Sequence, residues 1–259
     1  YEFLKDSSGA FSVIRSMSEI AGNTAILIGA EYLSSVNGGK GEMLGGVSGI
    51  PPTEVVIIGA GTVGEYACKT ALGLGATVKV FDNSIAHLRR LQNNLGRQIF
   101  TSVIQPNILE KALVQADLAI GALRAEDGRS PTVVSEEMVS KMKGNSVIVD
   151  VSIDQGGVFE TSEVTNHTKP IFRKHDVIHY CVPNITSRVS RTASYALSNI
   201  FTPMLLNISK SGGVQNYIWE RNPIRHGIYI YKGIMVNKAI SNRFSLPHKD
   251  LDLLIGAHF

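Results

Sequence analysis

Glu54-Val55-Val56-Ile57-Ile58-Gly59-Ala60-Gly61-Thr62-Val63-Gly64 is the stretch whose reading decides the fold. It opens with an apolar, β-branched run that reads as a buried strand, and a G-x-G-x-x-G turn follows at once. A helical pattern continues from about Thr62 to Leu74, and Gly75 closes it. A second β-branched run, Thr77-Val78-Lys79-Val80-Phe81, ends at Asp82. Strand, glycine turn, helix, strand and acid, in that order, make a dinucleotide-binding fingerprint. Gly59 permits the tight turn, Gly61 lets a pyrophosphate approach the backbone, and Gly64 lets the helix pack on the sheet. The amides and positive dipole end of the helix hold phosphate. Asp82 stands where a carboxylate accepts hydrogen bonds from the adenosine ribose, and its charge repels a 2′-phosphate. NAD is therefore expected rather than NADP.

Working outward, strands and helices alternate from about residue 54 to 185. Asn83 or Ser84 caps a helix striped by Ile85, Leu88, Leu91 and Leu95. A short strand spans Ile99–Val103, and Asn107 is expected to cap the helix Ile108–Gln115. Asp117–Gly121 reads as the next buried strand. Its end, Gly121-Ala122-Leu123-Arg124, should open over the cofactor, because ligands lie beyond the carboxyl ends of such strands. A polar loop is expected at Glu126–Pro131, followed by a helix capped by Ser135. Val147-Ile148-Val149-Asp150-Val151 is a strong buried strand, followed by Ser152-Ile153-Asp154-Gln155-Gly156-Gly157. Asp154, just past a central strand and before two glycines, is placed to face a cofactor; the alternative is a loop-capping Asx turn. Asp150 reads either way, as a functional or a structural carboxylate. Val177–Val182 is the last strand of the series. These elements predict an α/β fold, a doubly wound parallel sheet of Rossmann type with helices on both faces.

The flanks read differently. Ser18 is expected to cap a helix continuing through Ala21, Ala25, Ile28 and Leu33. Glycine is dense from Asn37 to Gly49, which reads as a flexible connection. From Ser190 a long apolar helical pattern is interrupted at Pro203, where a kink is expected. A short helix at Gln215–Arg221, a turn at Asn222-Pro223 and a helix at Val236–Phe244 follow. Ile228–Gly233 has no decisive periodicity.

Composition removes several classes. The chain has 259 residues and a formal net charge of only +3, too little to point to nucleic acid or an anionic membrane. No apolar run approaches the roughly 18 residues that span a bilayer. The two cysteines, Cys68 and Cys181, read as buried reduced thiols, and neither spacing suggests a metal site. A cytoplasmic protein is expected. The segments His87, Arg89 and Arg90 near the adenosine end read as a solvated face or as ligand contacts. His175 and His179 read as structural.

Several segments together resemble one family. Met17-Ser18-Glu19-Ile20-Ala21-Gly22, the Gly45-Gly46-Val47 loop, the glycine turn, and Val149-Asp150-Val151-Ser152-Ile153-Asp154-Gln155-Gly156-Gly157 occur in one order. Tyr180-Cys181-Val182-Pro183-Asn184, Tyr195-Ala196-Leu197-Ser198-Asn199 and a tail from Tyr231-Lys232-Gly233 to Leu246-Pro247 follow. The sequence is similar to alanine dehydrogenase and to the NAD-binding α subunit of proton-translocating transhydrogenase, and closer to the former. The resemblance implies an NAD domain at 12–190. It implies that 191–259, with 1–11, is the returning part of a substrate domain whose first half, carrying an Arg, a Lys and the catalytic His, is absent. It implies Asp154 as the active-site Asp beside the nicotinamide ribose and the reacting carbon. It also implies cofactor contacts from Ser18, Gly59, Gly61, Thr62, Val63, Gly64, Asp82, Leu123, Arg124, Val151, Asp154, Val182, Asn184 and Ile185. His87 stands where some relatives have Lys, and Thr186–Ser190 departs from the usual Pro-containing sequence. The implied activity is reversible NAD-dependent deamination of L-alanine to pyruvate and ammonia by a homo-oligomer with no membrane partner. The alternatives are a transhydrogenase α subunit, an NAD-binding fragment without chemistry, or a dehydrogenase for another substrate, such as a lysine–glutarate adduct.

Overall fold

The computed structural model describes residues 1–6, 9–124, 129–220 and 223–256. Glu126, Asp127 and Gly128 of the expected loop at Glu126–Pro131, the end of the expected helix Gln215–Arg221 and Asn222 of the expected turn lie outside them. The chain divides into two compact units, one of residues 18–190 and one of 1–17 with 191–259.

The larger unit is built on a seven-stranded sheet. In chain order the strands are β1 (Glu54–Ile58), β2 (Thr77–Phe81), β3 (Phe100–Ser102), β4 (Leu118–Gly121), β5 (Val147–Asp150), β6 (Ile171–Lys174) and β7 (Val177–Tyr180). Their spatial order is β3-β2-β1-β4-β5-β7-β6. Every pairing is parallel except β6 with β7. The helices are α1 (Ser12–Leu33), α2 (Thr62–Gly73), α3 (Ile85–Leu95), α4 (Pro106–Gln115) and α5 (Glu136–Ser140).

Side-chain alternation explains the two layers. Val55 and Ile57 of β1, with Leu118, Ile120, Val147 and Val149, meet the apolar stripes of α1, α2 and α3. Val56 and Ile58, with Ala119 and Ile148, meet Leu109, Ala112 and Leu113 of α4 and Val139 of α5. Successive strand residues point to opposite faces, so strands buried on both sides must be apolar throughout. Helix α1 packs closely through its glycines. A Cβ at Gly22 would lie 2.3 Å from the Val63 carbonyl oxygen of α2, and one at Gly29 would lie 2.4 Å from the Leu118 side chain.

The Asn37–Gly49 segment is packed rather than a simple connection. A Cβ at Gly39 would lie 2.0 Å from the Tyr32 carbonyl oxygen, and one at Gly45 2.2 Å from that of Leu74. Leu44 is buried and its carbonyl accepts from the Thr53 amide and hydroxyl. Lys40 reaches Asp117 at 2.6 Å, and Lys143 reaches the same carboxylate oxygen at 2.8 Å. Burial alone would raise the Asp117 pKa, but these two cations and the Glu54 amide outweigh it and hold it below the usual carboxylate value. A cleft of about 840 Å³ lies against this cluster, lined by Thr53, Glu54, Asp117 and Lys143. It opens at the amino ends of β1 and β4, away from the glycine turn.

Three local expectations are corrected. Ser18 does not cap α1, which begins six residues earlier in the chain at Ser12 and carries Ser18 in its body. Asn107 does not cap α4. Pro106 opens that helix after Gln105, and it needs no amide at the first turn. The strand β6 was absent from the periodic reading. It forms a hairpin with β7 through His175 and Asp176, both at positive φ (52° and 58°). Ser84 and Ser135 do cap as expected, accepting from the His87 and Met138 amides at 3.2 and 3.3 Å.

The smaller unit contains α6 (Ser190–Lys210), α7 (Val214–Trp219), α8 (Lys238–Phe244) and α9 (Leu251–Gly256), with a two-stranded hairpin of β8 (Ile230–Tyr231) and β9 (Ile234–Met235). The unit boundary falls within α1 and at the start of α6. Pro203 lies inside α6, which is assigned as one helix through it. The hairpin turns on Lys232 and Gly233, both at positive φ. A small core of Ile218, Tyr231 and Ile255 is flanked by Ile224, Ile228 and Leu251.

Candidate cofactor and active site

The strand order reverses between β1 and β4, and the loops after their carboxyl ends frame a crevice there. The glycine turn forms its first wall. Gly59 has φ 115°, and a Cβ on it would lie 2.3 Å from the Ala122 carbonyl oxygen of the neighbouring loop. A Cβ on Gly64 would lie 1.8 Å from the Gly59 carbonyl oxygen. Gly61 differs from both. Its φ is −69°, which any residue adopts, and no atom lies within 4 Å of where its Cβ would be. The fold uses Gly59 and Gly64, whereas the space beside Gly61 is left open for a ligand.

Helix α2 starts immediately after Gly61, with no side chain capping it. The first intrahelical bond runs from the Glu65 amide to the Gly61 carbonyl at 2.9 Å, so the amides of Thr62, Val63 and Gly64 precede the ladder. An uncapped helix start with open space beside Gly61 fits a pyrophosphate.

Asp82 follows β2 and is nearly buried. Its Oδ2 accepts from the Ala60 amide at 2.7 Å and its Oδ1 from the Ser84 amide at 2.7 Å. These bonds fix the carboxylate against the glycine turn, and each oxygen keeps capacity for a further donor such as a ribose hydroxyl. His87 Nδ1 lies 3.4 Å from Oδ2. Arg90 donates to the Ala60 carbonyl at 3.2 Å. It also lies 3.9 Å from Glu65, whose carboxylate accepts from Asn94 and pairs with Lys69 at 2.7 Å. Sequence reading left Arg90 and His87 open; the geometry puts His87 beside Asp82 and Arg90 on the glycine turn at Ala60.

The second wall comes from β4 and β5. The Leu123 carbonyl accepts from the Ser130 hydroxyl at 2.9 Å and the Ser152 hydroxyl at 2.7 Å, which ties the two loops together. Arg124 is exposed and Leu123 half-buried. After β5 the chain turns through Val151 and Ser152 into a short 3₁₀ turn, Ile153–Gln155. Ile153 points into the core, and Asp154 is exposed at the carboxyl end of the sheet. Gly156 and Gly157, at φ 108° and 81°, return the chain.

Asp150 proves to be the buried partner of this turn. Its Oδ1 accepts from the Ser152 amide at 3.1 Å. Its Oδ2 accepts from the Val158 amide at 2.8 Å, the Phe159 amide at 3.4 Å and the Ser162 hydroxyl at 2.7 Å. No Lys or Arg among the described residues pairs with it. Burial pushes its pKa up, and the four donors pull it back only in part. The strand pattern alone could not separate this role from a functional one. Ser130 and Ser162 were missed because short polar residues in irregular loops carry no periodic signal.

Beyond β7, Val182 is buried, and Asn184 takes a left-handed conformation (φ 55°, ψ 49°) with its side chain accepting from Thr186 at 2.9 Å. Ile185 is buried at the start of the 3₁₀ turn that follows. Ser18 stands on α1 one turn before Gly22, the residue that touches the Val63 carbonyl, and so on the same helix side as the start of α2. His179 is structural: its Nδ1 donates to the Val177 carbonyl at 3.0 Å and its Nε2 accepts from Thr161 at 2.8 Å. Burial lowers its pKa to about 4. Among the described residues, no cluster of His, Cys, Asp and Glu is arranged to hold a metal ion. Nor is any helix among them long and apolar enough to cross a membrane.

Comparison with known proteins agrees with this geometry. Residues 25–238 match the family model described as "Alanine dehydrogenase/PNT, C-terminal domain". Alanine dehydrogenase 2 of Staphylococcus aureus (strain USA300) is 38% identical over 253 residues, covering 97% of this chain and 68% of that protein. A solved L-alanine dehydrogenase is similar at TM-score 0.88 and 35% identity, over 95% of this chain and 67% of the other. A transhydrogenase structure from Sinorhizobium meliloti shares the fold at TM-score 0.64 and 22% identity, over 76% and 56%. A strand-turn-helix built around Gly61, an acid at Asp82 and these matches have one common meaning: the chain belongs to the alanine dehydrogenase/PNT family and is an NAD-binding oxidoreductase.

Proposed function

We propose that the protein catalyses the reversible, NAD-dependent oxidative deamination of L-alanine to pyruvate and ammonia. The observation that carries this reading is Asp154, exposed on the turn after β5 at the same sheet end as the glycine turn, in a chain 38% identical to an alanine dehydrogenase. NAD, when bound, supplies the acceptor for the hydride that leaves the alanine Cα. The amides of Thr62, Val63 and Gly64 hold its phosphates, and Asp82 accepts from its adenosine ribose. Ser18, Leu123, Arg124, Val151, Val182, Asn184 and Ile185 line the remainder. Asp154 orients the nicotinamide ribose and accepts a hydrogen bond from the reacting nitrogen or the water that replaces it. Holding these partners in register supplies most of the rate.

In this reading residues 12–190 are the NAD domain, and 191–259 with 1–11 belong to the substrate domain. The protein works in the cytoplasm as a homo-oligomer. A transhydrogenase subunit is the less favoured reading, because the likeness to that enzyme is one of fold, whereas the likeness to alanine dehydrogenase extends to sequence. The test follows absorbance at 340 nm with alanine and NAD and no membrane fraction. Asp154→Asn is expected to lower kcat by about a hundredfold or more and to leave the NAD dissociation constant within a few-fold. Parental turnover in that variant removes Asp154 from the mechanism.

A further inference from the structure

We infer that Asp150 is a positioning residue: its buried carboxylate holds the 151–159 loop in the shape that presents Asp154 to the reacting groups. The inference rests on the role proposed above for Asp154. Four donors converge on the carboxylate, from Ser152, Val158, Phe159 and Ser162, and they lie on both chain sides of Asp154. The loop therefore closes on one group, as a ring closes on a clasp. The neighbouring backbone is cut to fit that group. A Cβ at Gly121, the β4 residue paired with Asp150, would lie 2.8 Å from Oδ1, and a Cβ at Gly157 would lie 2.8 Å from Oδ2. Gly157 also has φ 81°, so the turn that follows Asp154 has the conformation glycine allows most readily.

The chemistry of the donors matters. Each amide that turns inward to Asp150 gives up water, and among the described residues no cation pairs with the carboxylate. An amide in place of one oxygen would present N–H to N–H across the loop. Asn keeps one acceptor oxygen, so its NH2 must face either the Ser152 amide or the Val158 and Phe159 amides. The side it faces is left buried and unpaired, a cost that falls on the loop while β1, α2 and Asp82 keep their own bonds. Asp150 makes its hydrogen bonds within its own loop and none to the glycine turn or to Asp82, the groups proposed to hold the pyrophosphate and the adenosine ribose. Its effect is therefore expected in the chemical step and not in cofactor affinity, a split that a purely global loss of stability does not produce.

The experiment combines amide hydrogen exchange, NAD titration by calorimetry and steady-state kinetics on the full chain. Asp150→Asn is expected to speed exchange at Ser152, or at Val158 and Phe159, by about ten- to a hundredfold according to which side the new NH2 faces, with the amides of β1 and α2 unchanged. In the same variant kcat is expected to fall by about a hundredfold, with the NAD dissociation constant within threefold. Ser162→Ala, which removes one donor and leaves the carboxylate, is expected to give a smaller change in the same direction, about two- to tenfold. It serves if the first variant does not fold. Unchanged exchange at all three of Ser152, Val158 and Phe159 in the folded variants overturns the inference, as does NAD affinity falling in proportion to kcat. If the parent chain turns over no alanine, the proposed reaction fails, and the exchange result still upholds or overturns the dependence of the loop on Asp150.

Discussion

Replacing Gly61 with Ala separates what the fold needs from what the ligand needs. The backbone at Gly61 is extended and accepts a side chain, and the Cβ meets nothing within 4 Å. Two opposing terms act on stability. Removing a glycine from the unfolded chain stabilises by about 0.4–1 kcal/mol. Alanine is a poorer helix cap than glycine, and the loss at this position is up to roughly 1 kcal/mol. The sum is close to zero, so the melting temperature without ligand should move by no more than a few degrees. The methyl group occupies the space that the pyrophosphate is expected to enter. A loss of about ten- to a hundredfold in NAD affinity corresponds to roughly 1.4–2.8 kcal/mol. Differential scanning fluorimetry with and without NADH, together with calorimetric titration, reads both quantities on one sample. Gly64→Ala is the contrasting variant: its Cβ would lie 1.8 Å from the Gly59 carbonyl oxygen, so it should unfold at lower temperature even without ligand. Parental NAD affinity in folded Gly61→Ala would refute the assignment of the open space to the cofactor.

Two further outcomes concern buried titratable groups. His179 has a pKa depressed to about 4. Its contribution to stability is complete above the unfolded value near 6.5 and is lost as pH falls through the window from 6.5 to about 4. Chemical denaturation at several pH values should show this loss, up to about 3 kcal/mol, and His179→Gln should flatten that slope; an unchanged slope would mean that other groups set it. Cys68 and Cys181 are fully buried, and burial raises each thiol to about 12. Neither should react with a thiol reagent such as dithiobis-nitrobenzoate in the native chain, and both should react in denaturant. Rapid native labelling of either would contradict their burial.

The parts of this fold that could be read from sequence are those where one residue type answers one physical demand. β1, α2 and β2 lie within a residue or so of where the β-branched runs, the glycines and Asp82 place them. Strands covered on both faces must be continuously apolar, and that pattern survives any tertiary detail. The hairpin before β7 was hidden because His175 and Asp176 adopt positive φ without the glycine or asparagine that usually announces it. The start of α1 was hidden because Ser18 looks like a cap, while packing of the apolar face extends the helix back to Ser12. At the site, Gly61 and Asp82 were legible because the motif fixes their chemistry. The clasp around Asp150 was not, since Ser152, Val158 and Ser162 meet it only after the loop has folded back.

The hairpin at the end of the sheet has a consequence for self-association. β6 is four residues long, and its Arg173 side chain is drawn back to Asn145 and the Gly38 carbonyl. Lys174 and His175 are held by Glu136 beside it. At the opposite border β3 has only three residues. Short borders, one of them cationic, offer a poor template for an incoming strand. Both margins of the sheet are thus short and poorly suited to adding a strand from another copy, which works against edge-to-edge aggregation.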